Sequence, residues 1–548
     1  MAKGYRPVLR DQPFLLPPDM REWLPAGHAV WLVIRAVEGH LDTSAFHAAR
    51  RTGGAGAAGY DPDMLVTLLV WAYANGVTSS RRIEAACAAD VSFRVICAGG
   101  APDHVTIARF RAGFPGAVEA LFAGVLALCA RLGMGALGTV ALDGMKIAAN
   151  ASVAANRTEE RLRKLAADAV AAHVAADAAE DELFGEGRRG DEVPPGAADP
   201  GSRDARIRRA LAELEAEREA ARAAREQQAR EYLAAGGRAR GVPPQQVAVA
   251  AAAARLERAR AARAAQIAGL EKRAAGPGAA GRRRDRPRAG IEDYCLVKAA
   301  REALAAAQAR GAAAERQAAR QQGQRKGPVR NITDPDSRLM PVRGGGFIQG
   351  YNAQNVTSSD GLIIATRLTG DTADTRWYQP MTAAAQHAAA VIAANPPAGP
   401  GHAAGGRIGL VLADAGYCSA HNLTCPGPDR LIATGKHRGL EKNARTAADG
   451  GQDGDGGEDR QEETAIAAMT ARLATEDGIT AYRQRSHIAE TPHGHIKHNM
   501  GLRQLSLRGK RKAAAEWDFT VTVANLLKAI TAGRLTAQAL DRLAAPAS

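Results

Sequence analysis

Three acidic residues, Asp143, Asp414 and Glu490, stand in the surroundings best suited to chemistry in this sequence. Asp143 closes the apolar run Val140-Ala141-Leu142 and is followed by Gly144-Met145-Lys146-Ile147-Ala148-Ala149-Asn150. Asp414 closes Leu410-Val411-Leu412-Ala413 and is followed by Ala415-Gly416-Tyr417. Glu490 lies between Tyr482 and Lys497 in a segment rich in arginine and histidine. Converging carboxylates are the hard oxygen ligands that hold Mg²⁺, and a metal pair held this way activates a nucleophile and stabilises a leaving oxygen in phosphoryl transfer. Taken singly, Asp143 before Gly144 and Asp414 before Ala415-Gly416 read as turn or cap residues. The joint pattern gives them weight.

For the three to meet, two must sit at strand ends and one on a later helix, at the end of a mixed sheet where ligands of open α/β folds collect. The sequence offers such elements. Gly138–Leu142 is strand-like, and Lys146-Ile147-Ala148 either continues it or pairs with it. Residues 329–440 read as α/β, with strands over Phe347–Val356 and Leu362–Leu368, a helix over Trp377–Ala394 and a buried strand over Ile408–Ala413. A short helix from Ser419 and a strand at Leu431–Ala433 follow. Helical patterns cover 465–474, 483–502 and 517–527, with Pro492 and Gly494 as interrupters of the second.

Residues 26–132 read as a compact helical domain, with helices starting near Pro62, Ser79 and Asp103. Ser79 looks like an N-cap. Arg81, Arg82, Arg109 and Arg111 on these short helices suit a helix-turn-helix-like DNA reader, and a small structural domain equally well. Residues 153–325 are rich in Ala, Arg, Glu and Gln and predict long polar helices, in a hairpin or loose coiled coil. The stretches 185–203 and 276–287 read as loops, and 449–463 as acidic disorder.

The chain has 548 residues and a formal net charge of +14, which favours a polyanionic partner, nucleic acid first. Aromatics are 4% of the chain, so base-stacking platforms are not a dominant theme. None of the six cysteines forms a C-x-x-C pair, which argues against a zinc ribbon and for reduced thiols. His493, His495 and His498 invite a zinc reading, but without a cysteine pair it ranks low. No apolar signal region or membrane-length stretch is present, so the expectation is a cytoplasmic protein with no membrane partner.

The chain resembles bacterial insertion-sequence DDE transposases with an RNase H-like core, in the branch with a helical N-terminal domain and a long helical insertion after the first Asp. The matching stretches are Leu142–Ser152, Asn331–Arg338, Gly350–Gln354, Ala413–Tyr417 and Tyr482–Lys497, followed by Leu507-Arg508-Gly509. The resemblance implies an α/β fold with an RNase H-like mixed sheet. It makes Asp143, Asp414 and Glu490 the catalytic, metal-binding triad. Tyr482, Arg485, Glu490 and Lys497 resemble the Tyr-Arg-Glu-Lys signature, which makes Tyr482, Arg485 and Lys497 DNA contacts. Four residues separate Arg485 from Glu490 where the signature has three, and His493 stands where relatives often carry an aromatic residue. The implied organisation is 1–132 as a DNA-binding helical domain, 133–152 and 329–445 as the two parts of the core, 153–328 as a helical, partly disordered insertion, 446–466 as an acidic disordered linker, and 467–548 as helices carrying the catalytic Glu. The implied cofactor is Mg²⁺, with Mn²⁺ as a substitute. The implied partners are terminal inverted repeats and target DNA, met by a homodimer in a synaptic complex. The implied location is the nucleoid.

Overall fold

The computed structural model describes residues 19–48, 59–113, 115–169, 171, 202–234, 247–274, 290–322, 329–342, 345–397, 406–435 and 457–544. The chain forms two units. One holds residues 1–156, 331–452 and 462–548, the other 157–330 and 453–461.

The first unit is built on a mixed six-stranded sheet. Its strands are β1 (Thr139–Ala148), β4 (Arg338–Pro341), β5 (Phe347–Ser358), β6 (Ile363–Thr369), β7 (Leu410–Ala413) and β8 (Asp429–Ile432). The short β2 (Asn156–Thr158) and β3 (Val329–Asn331) pair separately. In the main sheet β5 runs antiparallel to β1, while β7 runs parallel to it and β8 parallel to β7. Both β4 and β6 pair antiparallel with β5. The sheet differs from the sequence expectation at Asp143, which lies mid-strand rather than at a strand end. The period-2 pattern runs on through buried Met145 and Ile147, so Asp143-Gly144 makes no turn.

Helices α1 (Ala29–His40), α2 (Ser44–Ala48), α3 (Pro62–Ala74), α4 (Ser80–Ala89), α5 (Val91–Ile96), α6 (His104–Ala112) and α7 (Val118–Arg131) precede the sheet. Helix α3 is buried along nearly its whole length, from Leu65 to Tyr73, so it is a core helix rather than an amphipathic one. One apolar core runs through these helices, the sheet and a late helix, with Leu68, Leu121, Val140, Tyr351, Ile363, Trp517 and Phe519 all in it. Tyr73 packs edge-on against Phe519 at 5.2 Å and donates to Glu516 Oε1 at 3.0 Å. Glu516 is fully buried and also accepts the Ser506 and Leu507 amides, each at 2.8 Å, so its charge is compensated by hydrogen bonds.

In the second unit lie α8 (Arg203–Ala234), α9 (Ala248–Ala274) and α10 (Cys295–Gln322). Helices α9 and α10 pack as a pair around Leu256, Val297 and Ala300, with Arg263 stacked 4.5 Å over Tyr294. Elsewhere in this unit Leu162, Ile207, Ala210 and Leu214 are also buried. The expected loop 276–287 lies outside the described residues, as does 185–201.

The remaining helices are α11 (Tyr378–Ala394), α12 (Ala420–Thr424), α13 (Gly457–Ala474), α14 (Glu476–Gly494), α15 (Lys510–Thr531) and α16 (Ala537–Ala544). Helix α13 takes in residues 457–463, which were expected to be disordered. Helix α14 runs through Pro492 and passes at His495–Asn499 into a π-turn. The ring of Pro492 removes a donor and crowds the preceding turn, and the wider π-turn lies directly downstream. No described helix is long and apolar enough to cross a membrane.

Candidate active site

The register Leu142↔Ala413 sets Asp143 and Asp414 side by side at the carboxyl end of the parallel β1–β7 pair. Asp414 caps its own short turn, accepting from the Gly416 amide at 2.9 Å. The turn reading of this residue therefore holds alongside its place in the site. Helix α14 crosses the same sheet end with a buried face of Tyr482, Arg485, Ile488, Ala489, Pro492 and His493.

Arg485 joins the three carboxylates. Its Nη1 is 3.5 Å from Asp143 Oδ1 and its Nη2 3.8 Å from Glu490 Oε1. Its charge also acts on Asp414. The four-residue spacing sets the Arg485 and Glu490 side chains on different faces of the helix. Positions five apart on an α-helix point about 140° apart, so Arg485 lies on the buried face while the Glu490 side chain keeps 48% of its exposure. Tyr482 donates to the Ala413 carbonyl at 3.2 Å and braces the strand end before Asp414. Arg485 and Tyr482 are both buried. Lys497 is half-buried in the π-turn, where burial lowers its pKa.

His493 stands where relatives often carry an aromatic residue. In the structure its Nδ1 lies 3.5 Å from Asp143 Oδ2, and its Nε2 lies 2.9 Å from Asn355 Nδ2. A chain of donors fixes the ring. The Trp517 indole donates to Thr366 Oγ1 at 2.7 Å, which donates to Asn355 Oδ1 at 2.6 Å. An indole only donates, so the chain has one direction and leaves the His493 proton on Nδ1, facing Asp143. Both ring nitrogens are engaged, which removes His493 from a zinc set.

On the other face of the sheet, Asp374 makes a second network. It accepts from Asn352 and Gln354 at 2.6 Å each and pairs with Lys146 Nζ at 3.3 Å. Tyr417 donates to Gln354 Oε1. Thr375 donates to the Gly416 carbonyl at 2.9 Å, so this loop also holds the Asp414 turn. Sequence reading missed Asp374; the available signal was that polar Lys146, Asn352 and Gln354 stand in strands whose residues are mostly buried. A Cβ on Gly144 would lie 2.7 Å from both Asp374 Oδ1 and Gln354 Nε2. Gly144→Ala is therefore expected to cost about 1–3 kcal/mol by overpacking, read as a lower urea midpoint.

The two aspartates differ electrostatically. Burial raises the Asp143 pKa, but His493 and Arg485 outweigh it and hold the carboxyl below its usual range. Burial and then the charge of Asp143 push Asp414 up. Three carboxylates are hard oxygen donors of the kind a divalent cation takes, although their oxygens do not all lie within 4.8 Å of one another. Arg485 Nη1 is buried with no hydrogen-bond partner, so its hold on Asp143 is loose. Among the described residues, the cluster with three ligand atoms within 4.8 Å of one another is His47, Asp61 and Asp63. Those are engaged in an α3 cap and a His47–Asp63 contact of 2.9 Å.

Asp334 and Asp336 cap the start of α15, accepting from the Gly509 and Lys510 amides at 3.2 and 2.7 Å. Arg81, Arg82 and Arg109 are exposed, whereas Arg111 is buried and donates to the Thr78 carbonyl.

Two family models match the chain. Residues 18–113 match Transposase domain (DUF772), and residues 457–530, which include Glu490, match Transposase DDE domain. These matches support an insertion-sequence DDE transposase. Asp143 and Asp414 lie outside both matched segments of the chain, and α3 to α6 lie inside the first. No curated protein and no solved structure matches it.

Proposed function

We propose that this transposase binds the terminal inverted repeats of an insertion sequence and catalyses metal-dependent DNA cleavage and strand transfer, with Asp143, Asp414 and Glu490 as catalytic residues. The observation that carries the reading is the gathering of all three carboxylates around Arg485 at one sheet end. The strand order, with β5 antiparallel and β7 and β8 parallel to β1, supports an RNase H-like core.

Asp143, Asp414 and Glu490 would hold Mg²⁺, with Mn²⁺ as a substitute. When bound, such ions supply Lewis-acid stabilisation of the in-line displacement. The chain's own residues do the positioning. His493 presents its Nδ1 proton to Asp143 and keeps that carboxylate ionised for ligation. Tyr482 and Thr375 fix the Asp414 turn from two sides. In hydrolysis, water adds to phosphorus as the 3′-oxygen leaves and takes up a proton. In transfer, that 3′-hydroxyl attacks a target phosphodiester and releases the target's own 3′-hydroxyl. Two ends joined to one target call for a homodimer. Lys497 lies one turn-pair beyond Glu490 and is a phosphate contact in this reading.

The test is cleavage and joining of a plasmid carrying the element's ends in Mg²⁺. Wild type is expected to give joined products and Glu490→Gln none. Nicked products without joining would favour a nuclease, and cutting by Glu490→Gln would remove that residue from the triad.

A further inference from the structure

The cleft between α4 and α6 has a volume of about 670 Å³ and lies away from the three carboxylates. Thr78, Ser79, Ser80 and Arg81 line one wall, and His104, Val105, Ala108 and Arg109 lie along α6 on the other. Four features make it a receptor for an anion.

The first is the start of α4. Helices α3, α5 and α6 are each capped by an aspartate that accepts first-turn amides. Helix α4 has Ser79 at the cap with no side-chain hydrogen bond, and no acid in its first turn. Its leading amides are open to an external acceptor. The second is Ser80, whose side chain is 8% exposed and whose Oγ has no hydrogen-bond partner. A buried hydroxyl without a partner is costly, and Ser80 is among the residues that line the cleft.

The third is charge. Arg81 and Arg82 occupy the first turn, where the helix dipole disfavours cations, and exposed Arg109 faces the same cleft. A bound anion would satisfy the arginines and the dipole together. The fourth is Arg111. Its Nη1 is taken up by the Thr78 carbonyl while its Nε is buried and unpartnered, so it adds positive potential to the cleft wall. Three carboxylates lie nearby and each is engaged: Glu84 with His104 Nδ1 at 2.8 Å, Asp103 with the first-turn amides of α6, and Glu516 with Ser506, which also lines the cleft.

We infer that the α4 N-terminus, Ser80 and Arg109 form a phosphate-binding cleft that holds one backbone phosphodiester of DNA. This inference rests on the DNA-acting reading above and deepens it by giving the helical region a defined phosphate contact. Contact with a phosphate positions the duplex and reads no sequence.

Ser79→Asp in the full chain is the decisive variant. A carboxylate at the cap satisfies the leading amides and stabilises α4, while it excludes a phosphate from the same amides. Binding of a labelled mixed-sequence duplex is measured over a range of KCl concentrations. The slope of log K against log[salt] should fall in magnitude by about 0.9 for one lost phosphate, and affinity at low salt should drop about tenfold or more. The thermal midpoint should be unchanged or raised, which separates this loss from unfolding. Arg109→Gln should lower affinity and slope in the same direction. Inorganic phosphate at constant ionic strength should compete for the duplex on wild type more than on Ser79→Asp.

Duplex affinity and slope equal to wild type in both variants would overturn the inference. So would a Ser79→Asp protein that loses inorganic phosphate but keeps the duplex, because the cleft would then serve a free anion. Failure of the transposase reading looks different, as a wild-type protein that binds DNA and never cuts it.

Discussion

Asp143→Asn and Asp414→Asn are expected to abolish DNA cleavage equally and to move stability in opposite directions. In the proposed site each removes an anionic metal ligand, and loss of several kcal/mol of charge stabilisation is a rate loss on the order of 10³-fold or more at about 1.4 kcal/mol per tenfold. Their folding environments differ. Burial disfavours the Asp143 anion, yet His493 and Arg485 more than compensate, so its folded pKa lies below the unfolded value. Such a carboxylate contributes stability above its unfolded pKa and loses it as pH falls through the folded pKa. Asparagine would also leave Arg485 facing the site with one partner fewer. The cost should be about 1–3 kcal/mol, less than the roughly 3–5 kcal/mol for a close buried pair, because the contacts to Asp143 are 3.5 Å long. Asp414 is the reverse case. Burial, followed by the charge of Asp143, raises its folded pKa. Its ionisation therefore costs stability as pH rises above the unfolded value, and asparagine removes that cost while keeping an oxygen for the Gly416 amide. At pH 7 without divalent metal, the urea midpoint should fall for Asp143→Asn and rise for Asp414→Asn. Midpoints that shift in the same direction would show that Arg485 and His493 do not distinguish the two carboxylates.

That contrast could not be read from the sequence, although the three acids could. The apolar run before each aspartate and the later helix were enough to propose a meeting place, and strands β1, β5, β6 and β7 fall close to the expected spans. Four kinds of information were hidden. Gly144 looked like a turn because an Asp-Gly pair usually is one; its actual reason is the close approach of Asp374 from a distant loop. Arg485 reads as a signature residue one position out of register, and only the proximity of Asp143 shows it turned inward. The short β3 and β4, Val-Arg-Asn and Arg-Leu-Met-Pro, carry no alternation long enough to announce a strand. The start of α13 was taken for disorder because Gly457-Glu458-Asp459 is acidic, yet acids are what a first helical turn prefers.

Asp518→Asn should stabilise the protein increasingly as pH rises from about 4 to about 7, with little effect on the chemistry. Asp518 sits on α15 next to Trp517, the head of the donor chain that ends at Asp143. Its Oδ1 is buried with no hydrogen-bond partner. Burial, reinforced by Glu119 and only partly offset by Arg367, raises its pKa from 3.8 to about 7. The sign follows from proton counting. Between these two values the folded chain holds a proton that the unfolded chain has lost, so stability falls as pH rises through that window and levels off above it. At about 1.4 kcal/mol per unit, a shift of this size amounts to roughly 4 kcal/mol at most. Asparagine has no proton to lose and keeps the shape of the side chain. Urea midpoints of wild type and Asp518→Asn should therefore nearly coincide near pH 4 and separate steadily up to pH 7, with the variant higher, and hold a constant gap beyond. A constant difference across the whole range would mean that Asp518 ionises in the folded protein as it does in water. In that case Arg367 compensates the carboxylate fully, and the helix that carries Trp517 bears no electrostatic cost at neutral pH.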